Sequence, residues 1–456
     1  DQNSIVIWTR LTKNPDGNST GAKFLVPSSE EHRELDQEAN PENIWKAQVP
    51  EGLTLEEMDG ACPGAMGEVK LTCYPLTQQE NKFTTEWTEV DPEKNFTHQW
   101  KLNELLPGTK YVIEIEARRN DKSKVSDFLQ GAFRTPPAAE TNEEIKFCIV
   151  TCHDYRRRDT AGGHKIYDAM LRLFPDFYVH TGDIEYYDNP EPFAMTEELM
   201  QFKWDRVFAL PLQRTFWTQV TSYFMKDDHD VLRNDAFPGM TYGTVSWERG
   251  LEIFDEQNPA DEQPYQTIRW GKDLQIWLTE GRLYRSNKND EDGPEKTIFG
   301  REQKEWLYRT LEESDATFKI IINANPILGP DRENKKDNYA NSNFTYEGNE
   351  IREFLNKFDN VYLCNGDRHW QYVTHIEDSN LWEFSCGAGS DIHAGGWSQE
   401  DVRPEHRFLR VKGGFLFGKI AGVNGSPVLT FQLRDVDGNV VHEERFTSLR
   451  NTGQNL

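Results

Sequence analysis

The sequence is short of positive charge, of long apolar runs and of cysteine. Lys plus Arg number 51 against 77 Asp plus Glu, a formal net charge of −26, so the chain repels a phosphodiester backbone at long range and stable nucleic-acid binding is not expected. No stretch approaches the roughly 18 consecutive apolar residues that span a bilayer, which excludes a transmembrane helix. Only 6 cysteines occur in the whole chain. Cys62 and Cys73 lie close together in the first third, where a disulfide between them is one reading and would fit an oxidising compartment. The other four, Cys148, Cys152, Cys364 and Cys386, lie further on.

What is present argues for a folded, sizeable protein. Aromatic residues make up 12% of the chain, with 13 Trp, 16 Tyr and 26 Phe, ample material for buried cores in a chain of this acidity. A length of 456 residues predicts two domains, or one large domain with an appendage. The acidity suits divalent cations or a saline medium. No signal-peptide pattern is visible; the chain starts at Asp1 and runs at once into a strand-like Ile5-Val6-Ile7-Trp8. Removal of a leader is one explanation of a start without Met, and the expected location is secreted or periplasmic.

Residues 1–135 read as short strands between turn signals (5–8, 23–26, 100–102, 110–117, 131–135), which predicts a small all-β sandwich of fibronectin or immunoglobulin type. Residues 136–144 are Pro- and Glu-rich without periodicity and read as a linker. From 145 to 456 the pattern becomes strands alternating with helices, then mostly strands after Asp367. This predicts a layered α/β sandwich of βαβ units with a β-rich C-terminal half. The acidic stretches 232–272 and 328–350 are long for ordinary connections and are expected to wall a cleft.

Polar clusters follow the apolar strands, where open α/β sheets place their ligand sites. Five occur: Thr151-Cys152-His153-Asp154; Gly182-Asp183-Ile184-Glu185-Tyr186-Tyr187; Asp227-Asp228-His229-Asp230 with Asn234; Asn323-Ala324-Asn325; and Gly366-Asp367-Arg368-His369. A lone strand-end Gly-Asp is usually just a turn. Gly-Asp, Asp-Asp-His and Gly-Asp-x-His in this order and spacing match a binuclear metallophosphoesterase.

On these motifs the chain resembles the alkaline phosphatase D (PhoD-like) family, the calcium-dependent branch of the calcineurin-like and purple-acid-phosphatase-like superfamily. Val6-Ile-Trp-Thr-Arg-Leu11, Phe133-Arg-Thr-Pro136 and Gly300-x-x-Gln303-x-x-Trp306-Leu307 extend the likeness over nearly the whole length. The resemblance implies a first metal held by Cys152, Asp183, Tyr186 and His369. Three anionic ligands would favour Fe³⁺, whose charge a tyrosine with a pKa of about 10 needs in order to ionise. It implies a second metal sharing Asp183 and adding Asp228, Asn325 and Asp367. That all-oxygen set suits Ca²⁺, with Mg²⁺, Mn²⁺ or Zn²⁺ as alternatives.

The implied reaction is hydrolysis of small phosphate esters, mono- or diesters, by a hydroxide activated between two ions about 3.5–4 Å apart. His229 would protonate the leaving group or stabilise the transition state. Asn234 is assigned to a phosphate oxygen or metal and Arg368 to the developing charge, though each could equally be a supporting strut. Cys148 reads as core, and His153, His164 and His180 as structural. Asp154 is open, and Arg156-Arg157-Arg158 reads as a loop with local salt bridges more than as a steering patch. Two departures from the family pattern touch the substrate side of the site, Tyr187-Asp188 after the metal-binding tyrosine and Lys226 before Asp-Asp-His; a third, Glu280-Gly281, leaves the role of Arg282 and Arg285 open. The alternatives are a phospholipase or wall-polymer phosphodiesterase of the same fold, and a non-catalytic secreted binding protein.

Overall fold

A computed structural model of the protein describes residues 1–122, 124–260 and 263–448. Its centre is a pair of face-to-face sheets. One has six strands in the order Thr221–Phe224, Phe177–His180, Ile145–Val150, Gly414–Val423, Ser426–Asp435, Val440–Thr447. The other has seven: Gln266–Trp270, Leu274–Leu278, Phe318–Asn323, Val361–Asn365, Trp382–Cys386, Gln371–His375, His406–Arg410. The first three strands of the six-stranded sheet are parallel, as are Leu274–Leu278, Phe318–Asn323 and Val361–Asn365 in the other.

The period-2 alternation of strand side chains sorts the apolar residues into layers. Ile145, Phe147 and Ile149 face the core between the sheets, with Phe177, Ile320, Ile322, Phe384 and Leu416. Their neighbours Cys148 and Val150 face the opposite way, into a layer with Tyr167, Met170 and Phe216 from the helices Ile166–Leu171 and Pro211–Trp217. On the far face, Ile321 and Leu363 pack with Leu307, Leu311 and Ile351 of the helices Gly300–Glu313 and Thr345–Leu355. The result is the expected mixed α/β sandwich with a strand-rich C-terminal half.

Near the N-terminus, the sheet containing Glu68–Pro75, Lys110–Arg118 and Asp127–Arg134 shares one apolar core with the antiparallel pair Ile5–Arg10 and Thr97–Leu102. This stretch also holds two helices that a purely β reading leaves out. Ser29–Glu38 begins on a capping box, Ser28 with Glu31, and Pro41–Gln48 begins on an Asn40 cap followed by Pro41. Both are strong start signals. Residues 23–26, expected as a strand, form none. Leu35 and Ile44 of these helices are buried in one core with Leu199, Trp204, Tyr242 and Phe254.

Two further expectations change. Cys62 and Cys73 are both free thiols: Cys73 packs inside the sheet core, whereas Cys62 approaches the Asn14 carbonyl at 3.8 Å. The stretch 232–272 is more than a wall, since it carries the helix Trp247–Gln257 and the strand Gln266–Trp270 that edges the seven-stranded sheet. Among the described residues, no helix is long and apolar enough to cross a membrane.

Ile44→Ala tests the joint core. Removing a fully buried side chain should cost roughly 2–5 kcal/mol, read as a lower urea midpoint followed by tryptophan fluorescence. An unchanged midpoint would place these helices outside the cooperative unit.

Candidate active site

The parallel strands of both sheets end at one rim, and their tips carry the polar clusters. Thr151 follows the end of Ile145–Val150, and its Oγ1 accepts from the backbone N–H of Asp367 at 3.1 Å, across from the other sheet. Glycines permit this approach: a Cβ on Gly182 would lie 2.6 Å from Asp227 Cβ, and one on Gly366 would collide with the Thr151 and Thr181 hydroxyls. Cys152, Asp154, Asp183 and Asp367 all take positive φ, between 51° and 63°, conformations that non-glycine residues hold only where the surroundings enforce them.

Asp230 provides much of that enforcement. Its buried carboxylate accepts from the N–H groups of Asp183 (2.6 Å), Ile184 (2.8 Å), Glu185 (3.3 Å) and Asp227 (3.0 Å). Glu383 does the same on the other sheet, accepting from the N–H groups of Ile327, Leu328 and Gly329 beyond Asn325.

The donor atoms converge on Asp183. Cys152 Sγ lies 3.4 Å and Tyr186 OH 2.9 Å from Asp183 Oδ2, and Tyr186 OH is 3.2 Å from His369 Nε2. Three sets of donors have all their atoms within 4.8 Å of one another: Cys152, Asp183 and His369; Asp183, Asp228 and His229; Asp183, Asp227 and Asp367. Asp183 belongs to each. Asp183 Oδ1 and Asp228 Oδ1 are buried without a hydrogen-bond partner, although an Arg282 guanidinium nitrogen lies 3.5 Å from the latter.

Electrostatics in the site strain against its own composition. Burial first, and then Asp228, Asp227 and Asp230, push the Asp183 carboxyl well above the carboxylate range, with His229 opposing. Burial and the neighbouring Asp183 push the Cys152 thiol and the Tyr186 phenol up as well. Buried anionic donors in mutual repulsion, two of their oxygens without partners, are relieved by multivalent cations. The donor set fits metal ions.

The remaining expected residues divide. His229 Nδ1 is held 2.6 Å from Asp188 Oδ1, and its ring lies over Tyr186 at 4.2 Å between centroids. Asp188 opposes burial as the chief cause of a raised His229 pKa. Asn234 is exposed, its backbone N–H donating to Asp188 at 2.9 Å. Asn325 reaches the site with its amide nitrogen, 3.2 Å from both Asp227 and Asp367, while its oxygen faces Arg285. Arg368 is fully buried against Asp331 (3.2 Å) and Asp367, so it positions a donor and has no free face for substrate.

Three residues take parts that the sequence reading did not assign them. Asp188 orients His229. Asp227 joins the donor set while pairing with Arg282. His393 packs over His369 at 4.2 Å, and its Nδ1–H donates to the His153 carbonyl, 3.1 Å away. The departures at Lys226 and Glu280 explain each other, since they form a buried ion pair at 2.7 Å. Arg156 and Arg157 pair locally with Glu191 and Asp154, as a salt-bridged loop does.

The family described as PhoD-like phosphatase matches residues 147–411, more than half of the chain and all of these clusters. The protein belongs to the PhoD-like phosphatase family. A relative in *Bacillus subtilis* (strain 168), alkaline phosphatase D, is 22% identical over 325 residues, which are 58% of this chain and 54% of the relative; the match thus spans about half the relative's length. A solved structure of PhoD superposes with a TM-score of 0.70 at 16% identity, covering 98% of this chain and 87% of that one. The purple acid phosphatase PPD1 from yellow lupin (*Lupinus luteus*) seeds follows at 0.59 and 13%, covering 85% and 71%. These two likenesses show a PhoD-like fold, with the donor-bearing strand tips on its rim.

Asp230→Ala should leave buried N–H groups at Asp183, Ile184 and Glu185 without an acceptor. The expected cost is roughly 3 kcal/mol, with faster amide hydrogen exchange at those three residues. Unchanged exchange there would show that Asp230 does not hold the tip.

Proposed function

We propose that this protein hydrolyses phosphate esters, mono- or diesters, at a site built for two metal ions. The observation that carries the reading is the convergence of three donor sets on one shared carboxylate, Asp183, at the strand tips of a PhoD-like phosphatase. Cys152, Asp183, Tyr186 and His369 would hold the first ion, and their thiolate, carboxylate and phenolate favour Fe³⁺. Asp183, Asp228 and Asp367 would hold the second, with the Asn325 amide beside them, and oxygen donors favour Ca²⁺ or another hard cation. Bound there, the ions supply Lewis-acid activation of water and phosphoryl oxygen.

The chain's own groups do the rest. Asp188 fixes the His229 tautomer and orientation through Nδ1, which leaves Nε2 toward the donor cluster to give a proton to a departing alkoxide. Arg282 and Arg368 balance the carboxylates from behind, and the Lys226–Glu280 pair seals the rear of the Asp227 turn. The proposal also assigns the chemistry to 145–456, with 136–144 linking it to a β-rich 1–135, and a secreted or periplasmic setting in keeping with the acidic composition.

The test is hydrolysis of a chromogenic phosphomonoester beside the matching diester, with metal analysis, with and without Ca²⁺ and chelator. Turnover lost to chelator and abolished in Asp183→Asn is expected. Stoichiometric metal without turnover of either ester would favour a binding protein. His229→Ala should lower kcat by about 10²–10⁴-fold with metal content largely kept; equal loss of both would make His229 a ligand.

A further inference from the structure

The five strand tips read from the sequence are joined by a sixth. Trp382–Cys386 runs parallel to Val361–Asn365, so its C-terminal end reaches the same rim, and the loop that follows it carries His393. That loop is tied to two of the donor-bearing tips. The Gly389 N–H donates to the Cys152 carbonyl at 3.1 Å, Ser390 Oγ donates to the Arg157 carbonyl at 2.5 Å, and the Gly395 N–H donates to the His369 carbonyl at 3.1 Å. Thr151 and Ala388 add a short parallel bridge. A side chain on a loop so held has its place set before any ligand arrives.

His393 is 2% exposed. Its ring centroid lies 4.2 Å from that of His369 and 5.1 Å from that of Tyr186. Nδ1 donates to the His153 carbonyl at 3.1 Å, which fixes the tautomer and leaves the lone pair on Nε2. Nε2 is buried and has no hydrogen-bond partner among the described residues. His229 follows the same plan with one difference. It too packs on Tyr186 with Nδ1 anchored, but its anchor is the Asp188 carboxylate, which supports a positive ring and hence a donor. A carbonyl lends no such charge and burial disfavours the imidazolium, so His393 is a neutral acceptor. Nor is it one of the converging donors: among the described residues, no set of donor atoms within 4.8 Å of one another includes it.

We propose that His393 Nε2 accepts from a hydroxyl on the bound phosphoryl group, so that the site favours phosphomonoesters, which can keep a P–OH, over diesters, which have none. The inference rests on the phosphoesterase reading and names the ester class for it. A ligand with only unprotonated oxygens would set lone pair against lone pair in a buried place, which weakens binding.

Inorganic phosphate and sulfate separate the two cases, since at about pH 7.5 both are tetrahedral dianions and only phosphate keeps a proton. Each is titrated calorimetrically into the full chain as purified, with Ca²⁺ added and metal content measured alongside. Phosphate should bind at least about tenfold more tightly than sulfate. His393→Asn, whose amide nitrogen can take the Nδ1 position and keep the bond to the His153 carbonyl, should cut that margin to about twofold with metal content kept. His393→Gln, whose amide oxygen can take the Nε2 position, should retain most of it. Equal binding of the two anions by the unaltered protein, binding of neither, or a margin unchanged in His393→Asn would overturn the acceptor. Equal loss of metal in both variants would also overturn it and make His393 a scaffold residue. A margin that collapses in His393→Asn, in a protein that turns over neither ester, would keep the acceptor and remove the hydrolytic reading. Turnover with a margin indifferent to His393 would do the reverse.

Discussion

The buried carboxylate of Asp230 accepts from four backbone N–H groups drawn from two strand tips, and the rest of the site stands on that clamp. A turn that puts Asp183 in a left-handed conformation does not hold itself together. Once its N–H and those of Ile184 and Glu185 are tied to the turn after Thr221–Phe224, Asp183 has one direction in which to point, and Cys152, Tyr186, Asp228 and Asp367 gather around it. Glu383 plays the matching part beyond Asn325. Neither clamp touches the donor cluster as a ligand; each fixes where others can be.

Charge is the second constraint. Packing Asp183, Asp227, Asp228 and Asp367 at one rim places like charges in a poorly hydrated pocket, which is costly unless cations answer them. The fold answers part of the demand with arginines held behind the carboxylates, Arg282 on Asp227 and Arg368 on Asp367. It leaves Asp183 Oδ1 and Asp228 Oδ1 unanswered by hydrogen bonds, and those are the atoms turned to metal in the proposed reading.

Much of this was legible. Continuous apolar runs marked most of the central strands, because a strand buried on both faces has no polar side to alternate with, and the Gly-Asp and Asp-Asp-His motifs marked the tips. The helices Ser29–Glu38 and Pro41–Gln48 were missed although Ser28-x-x-Glu31 and Asn40-Pro41 announce them; their faces are too polar to show periodicity. Asp188 showed only as a departure from the family pattern and His393 carried no signal, since their importance comes from partners at positions 229 and 369. Lys226 and Glu280 looked like separate departures from the family pattern, and only their contact shows that one compensates for the other.

The order of residues by itself determined the layered α/β class, the family and which side chains could serve as donors, because local periodicity and short motifs are written along the chain. The tertiary structure decided what those side chains face. It turned the Asn325 oxygen toward Arg285, buried Arg368 against Asp331, kept Cys62 and Cys73 as separate thiols, and brought Lys335 and Lys288 onto one carboxylate. Each of these outcomes depends on distances between residues far apart in sequence, set only when the sheets pack and their strand tips meet.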